Sequence, residues 1–102
     1  MEGIELISFQ IISSVGSARS SYIEAIQLAK QNKIVEARKM IKEGENFFTE
    51  GHHAHAQLIQ QEASGEPTSF SLILIHAEDQ LMSAEAFKII ATEFIDVYEK
   101  IK

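Results

Sequence analysis

The chain has 102 residues, which bounds it to one small domain. Its 45% hydrophobic content excludes a disordered chain, and its net charge of −6, with lysines and arginines scattered, excludes the basic stripe that binds nucleic acid or an anionic membrane. There is no cysteine, so no disulfide framework, thiolate nucleophile or cysteine-type zinc site is possible.

The opening stretch, MEGIELISFQ, lacks the basic region and long apolar core of a signal peptide. No apolar run approaches the ~18 residues of a membrane span. A cytoplasmic protein without membrane insertion is the expectation. The first periodic segment carries Ile4, Ile7, Ile11, Val15, Ala18, Tyr22, Ala25 and Ala29 at spacings of three or four. That is a helical stripe, and it predicts a helix over about 3–31. Gly16, Ser20 and Ser21 weaken it locally. Gln31-Asn32-Lys33 is a polar break, and asparagine tolerates the left-handed conformation that ends a helix, so the first turn belongs here.

A second stripe runs through Ala37, Ile41, Gly44, Phe48, Gly51, His55 and Leu58 and predicts a helix over about 33–63. Gly44 and Gly51 each disfavour the helix by roughly 1 kcal/mol relative to alanine. Their common face points to a close helix approach there. Ser64-Gly65-Glu66-Pro67-Thr68-Ser69 is the clear breaker cluster and holds the only proline.

The third helix is expected over about 69–101, with Thr68 or Ser69 as its N-cap. Ile73, Ala77, Gln80, Ala84, Phe87, Ala91, Phe94, Tyr98 and Ile101 keep heptad spacing. A neighbouring stripe, Leu72, His76, Asp79, Ser83, Ala86, Ile90 and Val97, is also largely apolar. A helix apolar around so much of its girth is enclosed on more than one side, and neighbouring subunits must supply part of the cover. Phe70 to Ile75 alone would also fit a buried strand, but the heptad spacing runs through it. The fold class is all-α, an antiparallel three-helix bundle forming one domain over 1–102.

His76 and Asp79 are three residues apart, so they share one side of the third helix. One reading is a histidine satisfied by a nearby carboxylate. The other is an imidazole whose neutral nitrogen attacks an electrophile. His52, His53 and His55 form a second cluster. His52 and His55 share a helix face, but a tetrahedral metal site needs further ligands, and surface or interface histidines account for the cluster more simply. There is no glycine-rich phosphate loop and no GxSxG elbow.

Three segments then read together. They are Gly16-Ser17-Ala18-Arg19-Ser20; Gly51-His52-His53-Ala54-His55-Ala56-Gln57-Leu58-Ile59-Gln60-Gln61-Glu62-Ala63-Ser64-Gly65; and Leu74-Ile75-His76-Ala77-Glu78-Asp79-Gln80-Leu81-Met82. In that order the chain resembles the enzyme IIA proteins of the lactose/cellobiose (N,N′-diacetylchitobiose) class of the bacterial sugar phosphotransferase system. The resemblance implies a homotrimer forming a nine-helix bundle. It implies a phosphocarrier whose histidine, here His76, takes a phosphoryl group from HPr and passes it to a cysteine of a IIB component, which phosphorylates a disaccharide such as cellobiose, chitobiose or lactose. It further implies that Asp79 meets its symmetry mates around a divalent cation, Mg2+ being the expected ion. The chain departs from the family at Gln80, where the family often has histidine; at His55, where it often has glutamine; and at Ser83, where threonine is common. Two other readings of the residues stand beside this one. One is a non-catalytic helical oligomerisation module, in which His76 and Asp79 fix register. The other is a metal-binding bundle using His52, His55 and His76.

Overall fold

The computed structural model describes residues 3–101; Met1, Glu2 and Lys102, which the expected 1–102 domain also includes, lie outside the described residues. Three helices follow one another, α1 (Gly3–Lys30), α2 (Ile34–Ala63) and α3 (Leu72–Ile101). They pack up, down, up, into a rod with extents of 53 × 23 × 19 Å. Its length is close to that of one 30-residue helix, about 45 Å at 1.5 Å per residue.

Local chemistry sets the helix ends. Asn32 has φ 68, and the amides of Asn32 and Lys33 donate to the carbonyls of Ala29 and Leu28, each at 2.9 Å. Those two bonds are a Schellman closure around a left-handed residue, which asparagine tolerates. The end of α2 repeats the device. Gly65 has φ 94, Gly65 N–H donates to Glu62 C=O, and Glu66 N–H donates to Gln61 C=O. At the start of α3 the structure corrects the expectation. The helix begins at Leu72 rather than Ser69, and the cap is Ser71, whose Oγ accepts from the Leu74 amide at 3.2 Å. Residues 66–71 around Pro67 form no helix, and the next serine able to cap is two positions beyond Ser69.

The core has two halves. Ile11 and Val15 of α1 meet Ala54 and Leu58 of α2 and Leu74, Ala77, Leu81 and Ala84 of α3. Ala18, Tyr22, Ala25 and Ala29 meet Ala37 and Ile41 of α2 and Ala91 and Ile95 of α3. So the N-terminal half of α1 lies by the C-terminal half of α2 and the N-terminal half of α3. Close approach is visible at the two glycines. A β-carbon on Gly44 would run into the Tyr22 ring, and one on Gly51 would sit 2.7 Å from Val15 Cγ1.

The first two stripes face inward as expected. The third does not follow its expected line. Ala77, Ala84 and Ala91 are buried, but Phe94 and Ile101 are exposed, and Leu74, Leu81 and Ile95 are buried in their place. The buried residues keep heptad spacing too: Ala77, Ala84 and Ala91 are shared with the expected line, but they are completed by Leu74, Leu81 and Ile95, each the residue directly after Ile73, Gln80 and Phe94.

The outward side of α3 is the more unusual surface. Leu72 is 84% exposed, Met82 70% and Ile101 71%, and Ile75, Ile89, Ile90, Phe94 and Val97 are exposed as well. The second stripe named above therefore faces away from the chain's own core.

Candidate functional site

His76 lies on the second turn of α3, whose first turns are fixed by Ser71 at the cap and by Leu74 and Ala77, both buried against α1 and α2. The side chain points the other way. His76 and Asp79 are both exposed, and neither makes a hydrogen bond or ion pair among the described residues. Helical spacing puts Asp79 near the middle of the outward face and His76 on its flank, with Leu72, Met82, Ser83, Ala86, Ile90 and Val97 around them. An unpaired imidazole on an apolar surface is open to a protein that docks there, and its ring nitrogens are not committed to a partner. An unpaired carboxylate in the same surface is tolerable only while water or a cation reaches it. Gln80, one turn beyond His76, is half-buried.

The other histidines separate. His52 and His53 are exposed, and His52 stacks on Phe48 with ring centroids 6.4 Å apart. His55 is half-buried, and its Nε2 donates to Glu78 Oε1 at 2.7 Å. Among the described residues, no group of three or more His, Asp or Glu side chains is arranged to hold one metal ion, so His52, His55 and His76 are not brought together. Asp79 likewise has no second ligand among the described residues.

Sequence reasoning gave Glu78 no role. The His55–Glu78 pair joins α2 to α3 within a turn of His76. Two further polar links follow along the same seam. Lys88 meets Glu45 at 3.0 Å, and Arg38 forks to Asp96 and Glu99, each at 3.0 Å, a bonding that holds the Arg38 guanidinium above its ordinary pKa through Asp96 first. Beside the first link, a cavity of about 190 Å3 is lined by Leu58, Ile59, Phe70, Leu74 and Ile75, with Thr68, Glu62 and Glu78 at its polar points. Pairs such as His55 and Glu78 lie 23 positions apart across a linker. Only the rotational phase of both helices together would have found them.

A three-helix bundle with an unpaired histidine on an apolar outer face offers a surface on which another protein could dock. The chain belongs to the lactose/cellobiose-specific IIA subunit family of the phosphotransferase system, whose family model matches residues 6–99. It is 45% identical to the lichenan-specific phosphotransferase enzyme IIA component of Bacillus subtilis (strain 168), over 98% of this chain and 91% of that protein. Its fold is similar to the crystal structure of the cellobiose-specific enzyme IIA of Bacillus anthracis, with TM-score 0.94 and 45% identity, over 99% of this chain and 94% of that one. It is also similar to the IIA(chitobiose) chain solved in complex with HPr from Escherichia coli, with TM-score 0.84 and 30% identity, over 99% of this chain and 98% of that one. Among the described residues no helix is long and apolar enough to cross a membrane.

Proposed function

We propose that this chain is a phosphocarrier, a transferase component of a sugar uptake system, and that His76 is the residue that carries the phosphoryl group. The observation that supports it is the exposed, unpaired His76 on the apolar face of α3. The related IIA(chitobiose) was solved in complex with HPr, which supports HPr as the donor. A neutral His76 nitrogen attacks the phosphorus of phosphohistidine on HPr; the new N–P bond forms as the N–P bond to HPr breaks, and the HPr imidazole keeps the electron pair. In the second transfer, a cysteine thiolate of a IIB component attacks the same phosphorus and His76 leaves as neutral imidazole after taking up a proton. The final acceptor is a disaccharide of the cellobiose, chitobiose or lactose kind, and the whole relay runs in the cytoplasm.

The working form is a homotrimer, a nine-helix bundle in which the outward faces of α3 cover one another. The Asp79 carboxylates converge in that assembly and hold a divalent cation such as Mg2+, which supplies charge neutralisation there. Asp79 keeps the carboxylates; His76, on the flank of the same face, stays within reach of HPr.

The test is incubation with phosphoenolpyruvate, enzyme I and HPr, followed by mass spectrometry. An acid-labile gain of one phosphate is expected. A chain that assembles but takes up no phosphate is a structural oligomerisation module instead.

A further inference from the structure

Of the polar links that fasten α2 to α3, the one between His55 and Glu78 is nearest to His76. His55 Nε2 lies 2.7 Å from Glu78 Oε1, and the His55 side chain is only 17% exposed. The next link, Glu45 to Lys88, comes ten positions further along α3, roughly 15 Å away. Among the described residues, no other side-chain hydrogen bond or ion pair ties the first turns of α3 to α1 or α2.

The rest of that region restrains α3 weakly. Residues 66–71 form no helix, and the Ser71 cap joins α3 only to its own linker. Leu74, Ala77 and Leu81 seat the helix in the core. Such apolar contacts are non-directional, so they set the depth of α3 more firmly than its rotation. A hydrogen bond between two named atoms does fix rotation.

Rotation is what aims His76. Glu78 lies two positions beyond it, about 200° round the helix, so the two side chains leave α3 on nearly opposite sides. A bond that draws Glu78 to α2 therefore turns His76 away from α2, onto the flank where it is exposed. A roll of about 20° moves a side-chain tip at a radius of ~5–6 Å by about 2 Å. A misplacement of roughly 1 Å at reacting atoms can slow a reaction about 10²-fold. We propose that His55 and Glu78 are positioning residues for transfer at His76, a clamp that sets the rotation of α3 and so the aim of the imidazole. The inference rests on the reading of His76 as the phosphate carrier. Neither clamp residue touches the phosphorus; both act through the helix.

The test uses the full chain with His55→Ala, Glu78→Ala, the double variant and His55→Gln. Glutamine keeps a side-chain N–H that can donate to Glu78. Two measurements are made on each: amide hydrogen exchange, and single-turnover transfer from phospho-HPr at varied donor concentration. In His55→Ala the amides of residues 76–80 should exchange about fivefold faster, the scale of one lost hydrogen bond, with the second half of α3 unchanged. The saturating transfer rate should fall about tenfold, with the half-saturating donor concentration within about twofold of the parent's, because the docking face is intact and only the aim is lost. The double variant should be no worse than either single one, and His55→Gln should restore both readings. The clamp is overturned if His55→Ala exchanges and transfers like the parent, or if His55→Gln is as impaired as His55→Ala. A parent chain that takes up no phosphate would remove the reading of His76 instead, and unchanged exchange in His55→Ala would then overturn the clamp by itself.

Discussion

His76 and Tyr22 are opposite cases of a polar side chain without a partner. His76 is unpaired at the surface, where water satisfies it at no penalty, so the lack of a partner marks availability. Changing His76 to alanine should abolish phosphate uptake from phospho-HPr and leave helix content intact, while substituting His52, His53 and His55 together should leave uptake detectable; labelling of the two proteins by radioactive phosphate reads both. If the triple variant alone goes unlabelled, the carrier is one of those three histidines. Tyr22 is unpaired inside, where its charged form is strongly disfavoured. Its folded pKa lies above its ordinary value of about 10, so the folded state holds the proton more tightly, and the stabilisation is complete below pH 10 and lost as pH rises toward 12. Denaturant melts between pH 9 and 12 should therefore show a steeper alkaline fall in the parent chain than in Tyr22→Phe; equal slopes would count against it. At this scale the placement of His76 and Asp79 together on one side of α3 was legible in the sequence, because their spacing is local. Glu78 was not, because its partner His55 lies on another helix and in another phase.

Helix identity was legible for all three elements, since the stripe of α1 and that of α2 each run on one line into the core. Asn32 announced the first turn by its tolerance of the left-handed region. The start of α3 was not legible. Ser69 and Ser71 are both competent caps, and the choice between them depends on how the chain leaves Pro67. The inward line of α3 was not legible either, because Ala77, Ala84 and Ala91 belong to two heptad lines at once, one completed by Ile73, Gln80 and Phe94 and the other by Leu74, Leu81 and Ile95. The glycines of the elements make a paired test. Gly44→Ala should destabilise by about 1–3 kcal/mol, the range for forcing extra atoms into a packed core, because the Tyr22 ring it meets is itself fully buried. Gly16 has nothing within 4 Å of the place a β-carbon would take, so Gly16→Ala should stabilise by up to about 1 kcal/mol through helix propensity alone. Thermal melts of both variants check the signs. A destabilised Gly16→Ala would reveal a neighbouring chain packed on that side of α1.

For the whole molecule, the balance of surfaces decides. Its largest fully buried side chains are few, Tyr22, Ile11, Ile95 and Val15 among them, while fifteen large apolar side chains among the described residues stay at least 40% exposed, eight of them on α3. A single chain that leaves so much apolar area in water is expected to associate. Light scattering should report about three chains across the micromolar range, and a stable monomer would remove the basis for the role given to Asp79. If three Asp79 carboxylates converge, they repel one another, and Asp79→Leu should hold or raise the stability of the assembly and end its dependence on divalent cations. Phosphate uptake at His76 should survive the change in part, since no hydrogen bond joins the two side chains. Melts with and without chelator, paired with the transfer assay, read both. A parent chain indifferent to chelator, with a variant dead in transfer, would instead make Asp79 a positioning group for the imidazole.

The outward face of α3 also bears on identity among kin. Leucine, isoleucine, methionine and valine side chains pack with one another readily and carry little information about whose chain they belong to. A cell that makes two such proteins at once has little charge code on this face to keep them apart, beyond Asp79, Glu93 and Lys100. Co-expression of this chain with the 45% identical Bacillus subtilis relative should therefore yield mixed assemblies in native mass spectra, not two pure populations. If His76 carries phosphate as proposed, a mixed assembly would put two relays on one particle, drawing on one shared pool of carriers.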